Sequence, residues 1–144
     1  MKHTINEVQN EIIKEFSFLE NQEDKYSYLI ELGKKLPPLK EEDKKENNKV
    51  KGCQSTVWLT AEWHNSIIYF KAESDTVIVK GLLSLLIRIL SEQKPGAILN
   101  ADLYFIEKIG IPQLISVNRS NGLQAMIKQM KIYALAFQTK YEIK

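Results

Sequence analysis

The sequence has one cysteine and two histidines, few glycines and prolines, and no apolar run long enough to cross a bilayer; each shortage removes a class of function. Cys53 alone makes no intramolecular disulfide, so a reducing, cytoplasmic setting is the expectation. Residues 1–20 carry Lys2, Glu7, Glu11, Lys14, Glu15 and Glu20 where a signal peptide needs an unbroken apolar stretch. The run Leu82-Leu83-Ser84-Leu85-Leu86-Ile87 stops at Arg88, well short of the roughly 20 residues a membrane helix requires, so a soluble protein is expected. A structural zinc site takes four ligands at recognisable spacing, and Cys53 with the scattered His3 and His64 makes no such set, so no metal is expected. The same scarcity leaves a thiol protease without its histidine base. Gly110 and Gly122 stand isolated at helix ends and form no phosphate-binding loop. Twenty Lys and Arg against eighteen Asp and Glu give a formal charge of +2, without the basic excess of a nucleic-acid binder.

What is present is enough apolar sequence for a core. With 44% hydrophobic residues in 144, the chain reads as one domain over 1–144 that hides roughly two-thirds of its unfolded surface. Thr4-Ile5-Asn6-Glu7 has the form of a capping box, and Ile5, Val8, Ile12, Phe16 and Leu19 lay an apolar stripe behind it. A second helix is expected from near Asp24 to the Pro37-Pro38 stop. Lys40 to Lys49 reads as a solvated loop. Val57 to Trp63 alternates at strand period, His64-Asn65-Ser66 supplies a turn, and Ile67 to Phe70 supplies a partner strand, so an antiparallel hairpin is expected. Ala72 to Ile78 is open to a third strand, but a buried central helix capped by Ser74 or Asp75 and running to Ile89 is preferred. Pro95-Gly96 starts a run of short helices with Gly110 as a left-handed cap. Asn118 to Gly122 reads as a polar loop before a C-terminal helix whose stripe includes Met126, Met130 and Phe137; its methionines are core filler.

The singular element is Lys51-Gly52-Cys53-Gln54-Ser55-Thr56-Val57-Trp58, where the only thiol stands between a polar stretch and a strand. Gly52 permits a tight turn that a partner approaches closely. Free cysteine is ordinarily a small buried hydrophobe, and that reading stands beside the reactive one. Thiol chemistry without a resident base leaves disulfide exchange, oxidation sensing, or acceptance of sulfur from another protein, and composition does not rank them.

Gly52-Cys53-Gln54-Ser55 with Val57-Trp58 resembles the cysteine motif of the SufE family of sulfur acceptors. Glu31-Leu32-Gly33, Leu36-Pro37 and Asn48-x-Val50-x-Gly52 are similar to that family's lead-in, and Ser74-Asp75 with Ile78-Val79-Lys80-Gly81-Leu82 to its helix start. Arg119-Ser120-Asn121-Gly122-Leu123 with Ala125-Met126 is similar to its closing motif, so the resemblance spans nearly the whole chain in order. It implies an α+β fold of the SufE/IscU-like kind, with helices packed on one face of a small antiparallel sheet.

The resemblance also implies a function: Cys53 accepts persulfide sulfur from a SufS-like cysteine desulfurase and stimulates that enzyme during iron–sulfur cluster assembly, without independent turnover. Pyridoxal phosphate belongs to the desulfurase and no cofactor to this chain; a downstream cluster scaffold receives the sulfur, and neither nucleic acid nor membrane is a partner. Arg119 matches the family's arginine near the acceptor loop, and Asp75 matches an acid there, although a helix cap explains Asp75 equally. Gly52, Gln54 and Ser55 are expected to shape the loop, Lys51 to favour the thiolate, and Trp58 to be core. In the family the resting thiol tucks inward. Val117 departs from the family's frequent proline, and His64 matches no family signature. A redox-sensing thiol and, with too few ligands, a cluster scaffold are the alternative readings.

Overall fold

The computed structural model describes residues 3–142. Helix α1 (Ile5–Ser17) opens with the expected capping box, the Glu7 amide donating to Thr4 Oγ1 at 3.1 Å and the Thr4 amide to Glu7 Oε1 at 2.9 Å. Its inner face buries Ile5, Val8, Ile12 and Phe16, together with the polar Gln9. Gln9 is satisfied there: Nε2 donates to the Asp102 carbonyl at 3.0 Å, and Oε1 accepts from the Phe105 amide at 3.1 Å. One buried amide thus holds a later segment against α1, because a buried polar group keeps its place only when both ends are bonded.

Helix α2 (Gln22–Lys34) starts two residues before the expected Asp24, capped by Asn21, and ends ahead of Pro37-Pro38. It crosses α3 (Val77–Leu90) at near backbone contact. A Cβ on Gly81 would lie 2.2 Å from the Leu29 carbonyl oxygen, and one on Gly33 would lie 2.4 Å from that of Val77. The Gly33 and Gly81 of the family-like segments are therefore packing positions, each admitting only hydrogen. Helix α3 is the central buried element, with Leu82, Leu83, Leu85, Leu86, Ile89 and Leu90 all fully enclosed.

Between α2 and α3 lies the hairpin of β1 (Val57–His64) and β2 (Ile67–Ser74), antiparallel with Val57 opposite Ser74 and His64 opposite Ile67. Asn65 and Ser66 have φ of 51° and 68°, the two positive angles of a type I′ turn whose twist matches the strands. Val57, Leu59, Ile68, Phe70 and Ala72 face the helices. No third strand occurs among the described residues: β2 runs through Ser74, and α3 begins at Val77. The expected cap is also corrected. Thr76 holds the N-cap position of α3 without a side-chain hydrogen bond, because Ser74 and Asp75 are bonded elsewhere.

The outer face of the hairpin corrects two further expectations. Lys40 to Lys49 is no simple solvated loop: it folds into 3₁₀ turns at Glu41–Asp43 and Glu46–Asn48, and Lys44 pairs with Glu73 at 2.9 Å. Trp58 stands opposite Glu73 on this outer face, not in the core, with Lys44 Nζ 5.8 Å from its ring centroid. Burial alone would raise the Glu73 carboxyl, but Lys44 and the Leu39 amide hold it below the usual glutamate value.

Short helices α4 (Pro95–Leu99), α5 (Phe105–Lys108) and α6 (Ile111–Leu114) follow, with Gly110 left-handed between the last two as expected. Helix α7 (Val117–Tyr141) is longer than the apolar stripe suggests. Asn118 to Gly122 is its first turns rather than a loop, and Ser116 Oγ caps it by accepting from the Arg119 amide at 3.2 Å. That stretch lacks core residues because its inner side faces the cysteine segment instead. Met126 and Met130 are buried, while Phe137 and Tyr141 stack on Trp63 at 5.9 and 4.8 Å. Among the described residues the architecture is α+β, seven α-helices with a two-stranded sheet.

Candidate functional site

Cys53 sits in residues 51–56, a loop closed at its base by the Val50 amide donating to the Val57 carbonyl at 2.8 Å. Lys49 pairs with Trp58 in an isolated antiparallel bridge just below, so the loop springs from a short extension of the sheet. Gly52 takes φ of 92°, a left-handed angle unfavourable for any residue with a side chain, and this turns the chain so that Cys53 points back toward α7.

The far end of the loop is tied to the start of α3. The Thr56 carbonyl accepts from Ser74 Oγ at 2.8 Å and from the Asp75 amide at 3.3 Å, and the Thr56 amide donates to Asp75 Oδ1 at 3.1 Å. Thr76 Oγ1 lies 2.9 Å from Ser55 Oγ and 3.1 Å from Asp75 Oδ1, so its single proton serves one of the two. Asp75 is thus a loop clamp, not a helix cap. Ser55 shares in the clamp, whereas Gln54 is exposed to solvent.

Helix α7 is the floor. The Cys53 thiol donates to the Gly122 carbonyl oxygen at 3.5 Å, and a Cβ on Gly122 would stand 3.6 Å from Sγ. Gly52 approaches the next turn, where a Cβ would lie 3.3 Å from that of Ala125. The small residues Gly122 and Ala125 are three apart on one helical face, which lets the loop seat closely. Beside the sulfur is a cavity of about 60 Å³ lined by Cys53, Ser55, Val57, Val79, Arg119 and Met126 among others. Arg119 Nη1 is buried and has no hydrogen-bond partner among the described residues. A buried guanidinium nitrogen without an acceptor is costly, and Arg119 lines the same cavity as the thiol.

The thiol is half-buried, and that burial pushes it above the ordinary cysteine range. Lys51 does not line the thiol cavity: it opens onto a separate groove on the other side of the loop. His64 is exposed at the hairpin end beside Glu62 at 3.4 Å, away from this cavity. No group of three or more histidine, cysteine, aspartate or glutamate side chains arranged for a metal occurs among the described residues, and no helix there is long and apolar enough to cross a membrane.

Gly52, Cys53, Ser55, Asp75 and Arg119 are therefore brought together from three separate segments, with Gln54 on the rim. Sequence reasoning overlooked Ser74 and Thr76 as loop anchors and Gly122 as the seat of the sulfur. Gly122 read as an isolated helix end, and the signal that assigns it otherwise is its spacing to Ala125 on a helix that began earlier than expected.

An α+β fold presenting one half-buried thiol on a glycine turn, over a helix bearing an orphaned arginine, defines a thiol protein of a particular build. Residues 10–134 match the family described as "SufE: Fe-S metabolism associated domain". An uncharacterised SufE-like protein of Rhizobium meliloti is 40% identical over 127 residues, covering 85% of this chain and 91% of its own. One of Rhizobium etli is 41% identical over 127 residues, covering 85% and 86%. The solution structure of a hypothetical protein from Thermus thermophilus shares the fold, with a TM-score of 0.75 at 20% identity over 92% of this chain and 96% of its own. The chain belongs to the SufE family, and its role lies in iron–sulfur metabolism.

Proposed function

We propose that the chain is a sulfur acceptor that takes persulfide sulfur from a SufS-like cysteine desulfurase onto Cys53, stimulates that enzyme, and passes the sulfur to a cluster scaffold in the cytoplasm. The Cys53 thiolate attacks the outer sulfur of the donor's persulfide. The S–S bond of the donor breaks, the outer sulfur leaves bonded to Cys53, and the donor cysteine departs as a thiolate, so no electrons are gained or lost overall. Pyridoxal phosphate acts in the desulfurase, and this chain needs no cofactor and no base of its own.

The observation that carries the reading is the pairing of a half-buried Cys53 thiol with an unpartnered Arg119 Nη1 at one small cavity. In the resting loop, burial keeps the sulfur as a protonated, poorly nucleophilic thiol. Docking that draws the loop outward on Gly52 rehydrates the thiol and raises its thiolate fraction. On return, the anionic persulfide gains a charged donor in Arg119 that the neutral thiol does not use.

The deciding experiment mixes the chain with a desulfurase, cysteine and a reductant and follows sulfide release and intact mass. The expected result is a gain of one sulfur atom on Cys53 together with faster sulfide release. Cys53→Ser stimulating as well as the wild type would sink the reading. Arg119→Gln is expected to accept sulfur but to lose it several-fold faster to added thiol.

A further inference from the structure

A groove of about 630 Å³ opens on the opposite side of the cysteine loop from the thiol cavity. One wall is the approach to the loop, with Lys49, Lys51 and Gly52; the other is the outward face of α7 from Asn121 to Tyr133. At 1.5 Å per residue that face is about 18 Å long, the span of an extended peptide of roughly five or six residues. The lining includes three lysines and several carboxamides but no carboxylate. Glu46 pairs with Lys49 at 3.2 Å, whereas Lys51 and Lys128 have no ion-pair partner among the described residues.

We propose that this groove docks an acidic peptide segment of the sulfur donor. The inference rests on the acceptor reading of Cys53 and adds to it the recognition chemistry. Charge complementarity selects the occupant: two unpaired ammonium groups attract carboxylates, and the carboxamides of Gln124 and its neighbours offer both a donor and an acceptor to peptide backbone. The placement couples binding to the thiol. Lys51 and Gly52 belong at once to the groove wall and to the cysteine loop, and Gly52 holds the left-handed angle on which the loop turns. A segment that grips Lys51 therefore pulls directly on the residues preceding Cys53.

The test uses the full chain and two probes, beginning with amide chemical-shift mapping against a five-glutamate peptide and its five-glutamine counterpart. Shifts are expected to cluster at residues 49–52 and 121–133 with the glutamate peptide alone, and to weaken about tenfold in affinity between low and high salt. Shifts spread over all surface lysines, or none at all, overturn the proposal. The second probe is a pyridoxal-phosphate cysteine desulfurase from the same genome. Lys128→Glu, six residues along α7 from the cysteine seat at Gly122, is expected to weaken its binding at least tenfold while leaving the iodoacetamide reactivity of Cys53 within twofold. Unchanged binding by Lys128→Glu, with sulfur still reaching Cys53, sinks the groove and leaves the acceptor reading intact. Failure of the wild type to take sulfur from the desulfurase sinks that reading, and the assignment of the occupant with it.

Discussion

The thiol of Cys53 donates to the carbonyl oxygen of Gly122 at 3.5 Å, joining positions 69 residues apart in the chain. That contact ties the loop to the helix floor and sets how far the sulfur is withdrawn from solvent. A Cβ at Gly122 would meet Sγ at ordinary contact distance, so Gly122→Ala is expected to retain the tucked loop. It gains about 0.5–1 kcal/mol by removing glycine from a helix interior, read as a rise in urea midpoint. Gly122→Leu has no room for its extra atoms without evicting the cysteine. Its expected mark is alkylation of Cys53 several-fold faster than in the wild type, and an unchanged rate would show that α7 is not the floor of the site.

The raised thiol pKa has a kinetic and a thermodynamic consequence. Iodoacetamide reactivity should reach its midpoint at higher pH in the folded chain than in the same chain in urea, where cysteine titrates at about 8.5. Because the folded state holds the proton longer, the associated stability is complete below the unfolded value and is lost as pH rises through the folded one. Urea titrations at neutral and alkaline pH should therefore show a loss that Cys53→Ser lacks. Equal alkaline losses in the two proteins would remove the thiol as the cause.

Ser74 and Asp75 anchor the same loop in unequal settings. Ser74 is buried, donating to the Thr56 carbonyl at 2.8 Å and accepting from the Thr76 amide at 3.2 Å. Ser74→Ala leaves the Thr76 amide without its partner and the Thr56 carbonyl with the Asp75 amide alone, and is expected to cost about 1–3 kcal/mol, with faster Cys53 alkylation. Asp75→Asn keeps an oxygen for the Thr56 amide on an exposed side chain, and a cost below about 1 kcal/mol is expected. A larger loss at Asp75 than at Ser74 in matched denaturation curves would reverse this ranking.

Val117 is exposed at the first position of α7, behind an extended Ser116 with φ −69° and ψ 164°. Proline suits that position, since the first helical amide has no partner inside the helix and an extended residue precedes it. A proline there would begin the helix rather than stiffen a loop. Val117→Pro is expected to add about 0.4–1 kcal/mol and to leave Cys53 reactivity unchanged. A drop in melting temperature would contradict the assigned helix start.

Much of the fold was legible because it is written in local periodicity. The Thr4/Glu7 capping box, the hairpin with its turn at Asn65-Ser66, the buried stripe of α3 and the cap at Gly110 each depend on residues within a few positions of one another. The misreadings fall where a distant contact overrides local preference. Asn118 to Gly122 looks like a loop because its inner side meets Cys53 rather than the core. Trp58 looks like core because its outer-face cover comes from Lys44, fourteen positions earlier in a segment that reads as charged and solvated. Ser74 and Asp75 look like caps because their partner, Thr56, lies across the hairpin.

The sequence by itself determined that there is one thiol, that a glycine precedes it and a strand pattern follows it, and that two histidines at most are on hand to serve it. These follow from residue identity and order alone. Only the tertiary structure decided what the thiol rests on and how reactive it is at rest. The Gly122 carbonyl that bonds Cys53, the Asp75 clamp on Thr56 and the Arg119 side chain that lines the same cavity all come to the cysteine loop from segments far along the chain. A thiol's acidity depends on its surroundings in space, and those exist only once α3, the hairpin and α7 have packed.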